Sequence, residues 1–416
     1  MSENQTFRKE RDSMGEFQVP LEAYYGANTM RAVINFPISD LRFSRSFIEA
    51  ISMVKLAAAE TNIELGLLDS KLGEAIIKSA TEVSGGKFDD QFVVDIFQTG
   101  SGTSTNMNAN EVISNRAIEI LGGELGSRNP VHPNDHVNTG QSSNDVIPTS
   151  IHLAAAKAIT SNLIPSLKKL SASLNVKSQE FMPIIKTGRT HLQDATPVRL
   201  GQEFSGHAGQ INRGIRRAEH AVQELGEVAL GGTAVGTGVN THPEFAKKVC
   251  EKLTRAAGVE IRETSNHFQA QSTLDNIVEA SGAMKTIAVS LMKIANDVRW
   301  MGSGPRGGFG EIELPEVQPG SSIMPGKVNP VIPESVCQVA AQVIGNDTTV
   351  AIAGQSGNFE INVMMPVAAY NLLQSIDLLA TASSNLAEQC INGLKATTKG
   401  PEMVEKGLAI VTTLVP

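Results

Sequence analysis

The chain has 416 residues, of which 41% are hydrophobic, 19% charged and only 4% aromatic, with a formal net charge of −8. So few rings mean a core built mainly from Ala, Leu, Ile, Val and Met, which favours close-packed helices over an aromatic-rich sandwich. An acidic balance without a basic run argues against nucleic acid as a partner, although a cleft can still gather positive groups for an anionic substrate.

No window approaches the ~18 consecutive apolar residues of a membrane span. The polar start, MSENQTFRKERDS, has no apolar centre of the signal-peptide kind. Cys250, Cys337 and Cys390 are far apart and odd in number, so neither a disulfide framework nor a metal-ligand spacing is expected. A reducing cytoplasm is the expected location.

Residues 1–140 read as a mixed, mostly helical domain, with turns at Asn35-Phe36-Pro37 and Gly85-Gly86. Two polar islands lie at its end, GSGTSTNMNANE at 100–111 and VHPNDHVNTGQSSND at 131–145. A long helix is expected to start at Ser143-Asn144-Asp145, where short polar side chains cap free amides, with Pro148 close behind. Its apolar stripe runs through Ile159, Leu163, Leu167, Leu170 and Leu174, and Pro165 should bend or break it.

A third island, TGRTHLQDATP, occupies 187–197 and precedes a helix candidate at 203–229. The clearest periodicity follows, with Leu274, Ile277, Val278, Met284, Ile287, Leu291, Ile294 and Val298 at helical steps of three and four. The fourth island, GSSIMPGKVNP at 320–330, continues through Glu334 into a helix candidate at 334–353. A last stripe uses Leu372, Leu373, Ile376, Leu379 and Leu386. About five long helices between 142 and 392 exceed the usual mean of ~11–12 residues and suggest an elongated bundle. The expected domains are 1–140, 141–393 and 394–416.

Each island alone has a bland reading, because Ser, Thr, Asn and Gly gather at helix ends simply to cap them. His191 alone reads as a helix-end histidine and Lys327 alone as a solvated charge. The runs at Gly100–Thr103 and Gly231–Gly236 fit neither dinucleotide nor Walker spacing and lie in no strand–turn–helix unit, so nucleotide binding is rejected.

Together the islands, in this order and spacing, resemble the class II fumarases of the fumarase/aspartase superfamily along nearly the whole chain. The resemblance implies a mostly α, three-domain fold whose central five-helix bundle forms a twenty-helix core in a homotetramer. Each active site would draw on three subunits. It also implies reversible hydration of fumarate to L-malate without metal or organic cofactor.

By the same resemblance Ser321 is the base, His191 the acid paired with Glu334, and Lys327 and Asn329 the groups that hold the substrate carboxylate as it gains charge. Ser101, Gly102, Thr103, Ser142, Ser143, Asn144, Thr190, Ser322 and Val328 complete the substrate site. His132, Pro133, Asn134 and Asp135 match a second dicarboxylate site. A serine could act as base only if nearby amides and the Lys327 charge stabilise its alkoxide.

Two departures stand out. The arginine usual three residues before His132 is Asn129 here, with Arg128 one place earlier, and the family's chains continue past the position of Pro416, so 394–416 reads as a truncated small domain. The rival readings are an aspartase, which needs no acid for an ammonium leaving group and carries Gln at the position of His191, and a purely structural bundle of the lens-crystallin kind.

Overall fold

The computed structural model describes residues 7–12, 14–324 and 326–414. Pro325, inside the fourth island, and Pro416 lie outside the described residues. Thirteen α-helices run through them, α1 (Ala27–Asn35), α2 (Arg45–Glu64), α3 (Ser70–Ser84), α4 (Thr103–Ile120), α5 (Ser143–Ala158), α6 (Ile164–Phe181) and α7 (Leu200–Leu225), then α8 (Phe245–Ala257), α9 (His267–Ser272), α10 (Asp275–Met301), α11 (Val331–Gly354), α12 (Met365–Gln389) and α13 (Lys399–Lys406). Strands are minor: hairpin β1 (Phe7–Asp12) with β2 (Gly15–Pro20), hairpin β3 (Ile185–Thr190) with β4 (Gln193–Arg199), and a few two-residue pairings. The mostly α fold is the one expected. No helix among the described residues is long and apolar enough to cross a membrane.

The chain divides into two compact units: Met1–Ala158 with Ala221–Ser281 and Asp347–Gln374, and Ile159–His220 with Gly282–Asn346 and Ser375–Pro416. In the first, α2 is the hub, packing on α3, α5 and α8. Phe47, Ile51, Val54, Ala57 and Ala58 of α2 are almost wholly buried. Gly73 of α3 lets the two helices close together, since a methyl there would meet Ile63 Cδ1 at 2.4 Å.

Buried charges in this unit are paired with amides or with each other. Glu111, the last residue of the first island, accepts the amides of Gly26 (2.8 Å), Asn28 (3.0 Å) and Thr29 (3.1 Å) and so satisfies the start of α1. β1 and β2 carry few apolar residues. Their inward charges are matched instead, Arg8 with Glu10 and Arg31 with Asp12.

In the second unit the stripes of the long helices turn inward. Leu167, Leu170 and Leu174 of α6, Ile287, Leu291, Ile294 and Val298 of α10 and Ile376, Leu379 and Leu386 of α12 are all at most 1% exposed. Phe181 and Phe204 meet edge to face at 5.2 Å. α13 packs on β3, and Lys395–Ala396 pairs with Ile312–Glu313.

Both prolines of the α5–α6 stretch act differently from each other. At Pro165 the regular helix does break: a π-helical turn at Ile159–Leu163 intervenes, and Pro165 becomes the second residue of α6, where its missing N–H costs little. Pro148 is not at the helix start but inside α5, as its sixth residue. It therefore removes the amide that would bond the Asn144 carbonyl.

Glu82 of α3 is held by Arg116 of α4 through contacts of 2.7 and 2.9 Å and by Lys87 at 2.9 Å. The Arg116 hydrogen bond brings its carboxyl down to about 2 from 4.5. The folded value lies below the unfolded one, so this stabilisation is complete above the unfolded value and is lost as pH falls toward the folded one. In acid titrations followed by circular dichroism, the stability gap between the native chain and Glu82→Gln should be full at neutral pH and shrink from about pH 4.5 to about 2. A gap that does not change over that range would remove the pair as its source.

Candidate active site

In the first unit two helix starts meet. Gly102 has a left-handed backbone (φ +74°) and caps α4, and a methyl on it would meet Ile147 of α5 at 2.9 Å. This contact brings the hydroxyls together: Ser101 Oγ lies 3.0 Å from Thr103 Oγ1, which lies 2.8 Å from Ser143 Oγ. Gly100 is pressed against residue 363, whose carbonyl oxygen would sit 1.9 Å from an added methyl.

At the start of α5, Ser142 Oγ accepts the Asn144 amide at 3.2 Å while Asp145 Oδ1 accepts the Ser142 amide at 2.9 Å. Asp145 thus reaches back to the amide of the cap residue as in a capping box, while the Ser142 hydroxyl caps the second helical amide. Asn144 donates from Nδ2 to the Ala234 carbonyl at 2.7 Å. Thr103 and Ser143 are thus in direct contact, and Asn144 follows in the same turn with its side chain tied to the glycine loop.

Behind this turn is a pair of charges that sequence reasoning missed. Lys55 and Asp145 are both 0% exposed. Lys55 Nζ donates to Asn138 Oδ1 at 2.7 Å and Gln141 Oε1 at 3.1 Å. Burial brings the Lys55 ammonium down to about 7, opposed by the charge of Asp145. Burial pushes the Asp145 carboxyl up, against hydrogen bonds from the amides of Ser142, Thr233 and Gly231 and the charge of Lys55. A lysine inside the helical pattern of α2 reads as a solvated face, and its nearest island begins far along the chain.

The second expected site is a single π-helical turn, Pro133–Val137, capped by His132. His132 Nδ1 accepts the amides of Asn134 (3.3 Å) and Asp135 (3.1 Å). That pattern requires an unprotonated Nδ1 with the proton on Nε2. Partial burial lowers the His132 pKa, with Asp135 opposing. Asn129 is exposed, and Arg128, at φ +57°, has a buried Nη2 without a partner among the described residues.

The remaining candidates are in the second unit. The third island is not a helix end but the hairpin β3–β4, with a bulge between Thr187 and Arg189. His191 (φ +57°) and Leu192 (φ +60°) form its turn. Two successive left-handed residues are what a two-residue type I′ turn demands, normally met by Asn-Gly. Here they cost about 1–2 kcal/mol each.

Arg189 anchors the strand, donating to Glu311 Oε1 at 3.0 Å and lying 4.1 Å from the centre of the Phe309 ring. Lys186 approaches the other Glu311 oxygen at 2.9 Å. A cavity of about 580 Å³ beside them also touches His207, Asp297 and Trp300. Its cations are already paired within the unit, Lys186 and Arg189 with Glu311 and Lys293 with Asp297.

The fourth island is a loop closed on itself. A methyl on Gly320 would lie 1.8 Å from the Lys327 carbonyl oxygen, and Asn329 Nδ2 donates to the Gly320 carbonyl at 3.0 Å. Gly326 takes φ +73°. Within this ring Ser321 Oγ accepts the amides of Ile323 and Met324, both at 3.3 Å. Ser322, Lys327 and Val328 are exposed on the loop, and Thr190 is exposed next to His191. Glu334 lies in the first turn of α11. It makes no hydrogen bond or ion pair with His191 within the described chain.

A family profile described as Lyase matches residues 15–345. The chain is 55% identical over 417 residues to the "Fumarate hydratase class II" of Halobacterium salinarum, covering all of this chain and 88% of that protein. It is 52% identical to the protein of the same name from Neisseria meningitidis, covering 98% of this chain and 88% of that one. The crystal structure of the class II fumarase of Schistosoma mansoni superimposes with a TM-score of 0.97 at 41% identity, covering 99% of this chain and 90% of that one. With a matching profile over most of its length and relatives at this identity, the chain belongs to the class II fumarate hydratases of the lyase family.

Proposed function

We propose that the chain catalyses the reversible hydration of fumarate to L-malate by anti addition and elimination through an aci-carboxylate intermediate. The observation that carries the mechanism is the environment of Ser321. Its Oγ already accepts two backbone N–H groups. Donors fixed in that direction stabilise negative charge on the oxygen, and a serine needs this to take a proton from carbon.

In the elimination direction Ser321 removes the proton next to one malate carboxylate. Charge then builds on that carboxylate, where Lys327 and Asn329 stabilise it. Preorganised donors of this kind contribute ~10²–10³ in rate apiece. Hydroxide leaves from the next carbon and takes its proton through His191, with Glu334 favouring the imidazolium. Thr103, Ser143 and Asn144 hold the dicarboxylate, with Ser101, Gly102, Ser142, Thr190, Ser322 and Val328 around it. His132, Pro133, Asn134 and Asp135 form a second, outer dicarboxylate site. The proposal needs no metal or organic cofactor, and places the enzyme in the cytoplasm.

The same proposal makes the protein a homotetramer with three domains (1–140, 141–393 and 394–416), each active site sharing residues from three subunits.

The reaction is tested by the ultraviolet absorbance of the fumarate double bond, followed with and without ammonium. Loss without ammonium is expected. Loss only with ammonium would replace the hydratase with an ammonia-lyase, and no loss from an intact oligomer would leave a structural protein.

Ser321→Ala should lower turnover by about 10²-fold or more with assembly intact. His191→Asn should slow the reaction and remove one limb of the pH–rate profile. Near-normal turnover in the first, or an unchanged profile in the second, would reassign the base or the acid. Mixing the two variants after co-refolding should regain about a quarter of native activity if each site takes Ser321 and His191 from different subunits. No regain in verified mixed oligomers would place both residues on one subunit.

A further inference from the structure

The glycine run Gly231–Gly236, rejected as a phosphate loop, has a different task. Asp145 Oδ2 accepts the amides of Gly231 (3.1 Å) and Thr233 (2.9 Å), while its Oδ1 accepts the amide of Ser142. One carboxylate therefore joins the glycine loop to the first turn of α5. Thr233 is left-handed (φ +55°), and its carbonyl accepts Gln271 Nε2 at 2.9 Å. A methyl on Gly232 would lie 1.9 Å from Gln271 Oε1, so the loop packs closely against the α9 side chain that its own Thr233 carbonyl holds. Asn144 then ties back to it through the Ala234 carbonyl.

Lys55 acts on the other side of the same turn. Its ammonium gathers the side-chain oxygens of Asn138 and Gln141, and Asn106 of α4 donates to the same Asn138 oxygen at 3.3 Å. Gln141 immediately precedes Ser142. The entry to the turn is thus fixed from α2 and α4, and its exit from the glycine loop.

Asp145 is oriented by three donors and Lys55 by two acceptors, the pattern of a carboxylate and an ammonium. Displacing either would leave buried hydrogen-bonding groups without partners.

We propose that Lys55 and Asp145 are positioning residues for substrate binding: together they fix the Ser142–Asn144 turn, and through it the Thr103–Ser143 hydroxyl pair, in the geometry that receives a carboxylate. They touch no substrate themselves. The inference rests on the assignment of Ser143 and Asn144 to the substrate carboxylate. A loosened cradle would weaken ground-state binding of any dicarboxylate, reacting or not, while chemistry at Ser321 and His191 would be affected less.

The test measures KM and kcat for fumarate and the dissociation constant for succinate, a saturated dicarboxylate, in Asp145→Asn. The asparagine NH2 would face amide N–H donors, so the turn must shift. Both KM and the succinate constant are expected to rise together by about tenfold or more, with a smaller change in kcat. Unchanged binding in a folded variant, or a loss confined to kcat, would overturn the inference. Should Asp145→Asn not fold, Gln141→Ala decides it, since it removes one of the two oxygens at Lys55 and adds no buried charge. A smaller rise in the same two constants supports the role and no rise ends it. Ser143→Ala tests the underlying assignment separately: if it leaves binding intact, the cradle itself is wrong, whereas weak binding in Ser143→Ala alone removes only the positioning role.

Discussion

The start of α5 is held by a carboxylate that has no access to water, and the organisation of the first unit follows from that. Burial opposes the charge of Asp145, and the state persists because three backbone amides converge on it and Lys55 lies close enough for its charge to act. An unsatisfied buried charge costs several kcal/mol, far more than one hydrogen bond contributes. The glycine loop, the Ser142 turn and the end of the second island are therefore not independently adjustable. Their rigidity passes to side chains that carry no charge, the hydroxyls of Ser101, Thr103 and Ser143.

The Ser321 loop of the second unit is built from the same element, amides aimed at an oxygen, under the opposite condition of exposure. Gly320 closes the ring over the Lys327 carbonyl, and Ser321 sits inside with two amides on its Oγ. At 3.3 Å these bonds are long for a neutral hydroxyl, and an oxygen gaining negative charge would shorten them. They therefore favour the alkoxide over the alcohol, which is the difference a base needs. The turn at His191 and Leu192 adds strain in place of hydrogen bonds. Glycine there would relieve it and lose the imidazole.

The long helices were legible because a buried stripe must recur at steps of three and four. Of the eight apolar positions read from Leu274 to Val298, only Val278 is not fully buried. Capping chemistry placed the start of α5 correctly, and the first island likewise holds the start of α4, whereas the third proved to be a hairpin and the fourth a closed loop ahead of α11. Other features left no local trace. In the β1–β2 hairpin only β2 alternates apolar residues, Phe17 and Val19, toward the Ala23–Ala27 cluster, whereas the buried Glu10 and Asp12 of β1 are matched by Arg8 and Arg31, so β1 lacks the apolar strand period. The β3–β4 turn uses His-Leu where a hairpin signal would be Asn-Gly. Lys55 has the composition of a solvent-facing helix position, and only the packing of α3, α5 and α8 around α2 makes it interior. Pro148 looked like a helix-start residue because sequence marks proline as a boundary, whereas α5 tolerates it one turn further in.

Exposure in the second unit argues for what must surround it. Leu192 is 58% exposed beside His191, and Ile323 is 82% exposed within the Ser321 loop. Large apolar side chains in water forgo about 1.5–3 kcal/mol each of burial, and here they flank the two proposed catalytic groups. A proton taken from carbon also requires that water be kept from the alkoxide and the enolate-like intermediate, which an open loop cannot do. A second copy of the chain over these positions would meet both requirements at once: it would bury the apolar side chains, exclude water from the reacting carbon, and bring the His191 hairpin of one subunit within reach of the Ser321 loop of another. Catalysis and association would then share one interface, so that neither could be optimised without the other.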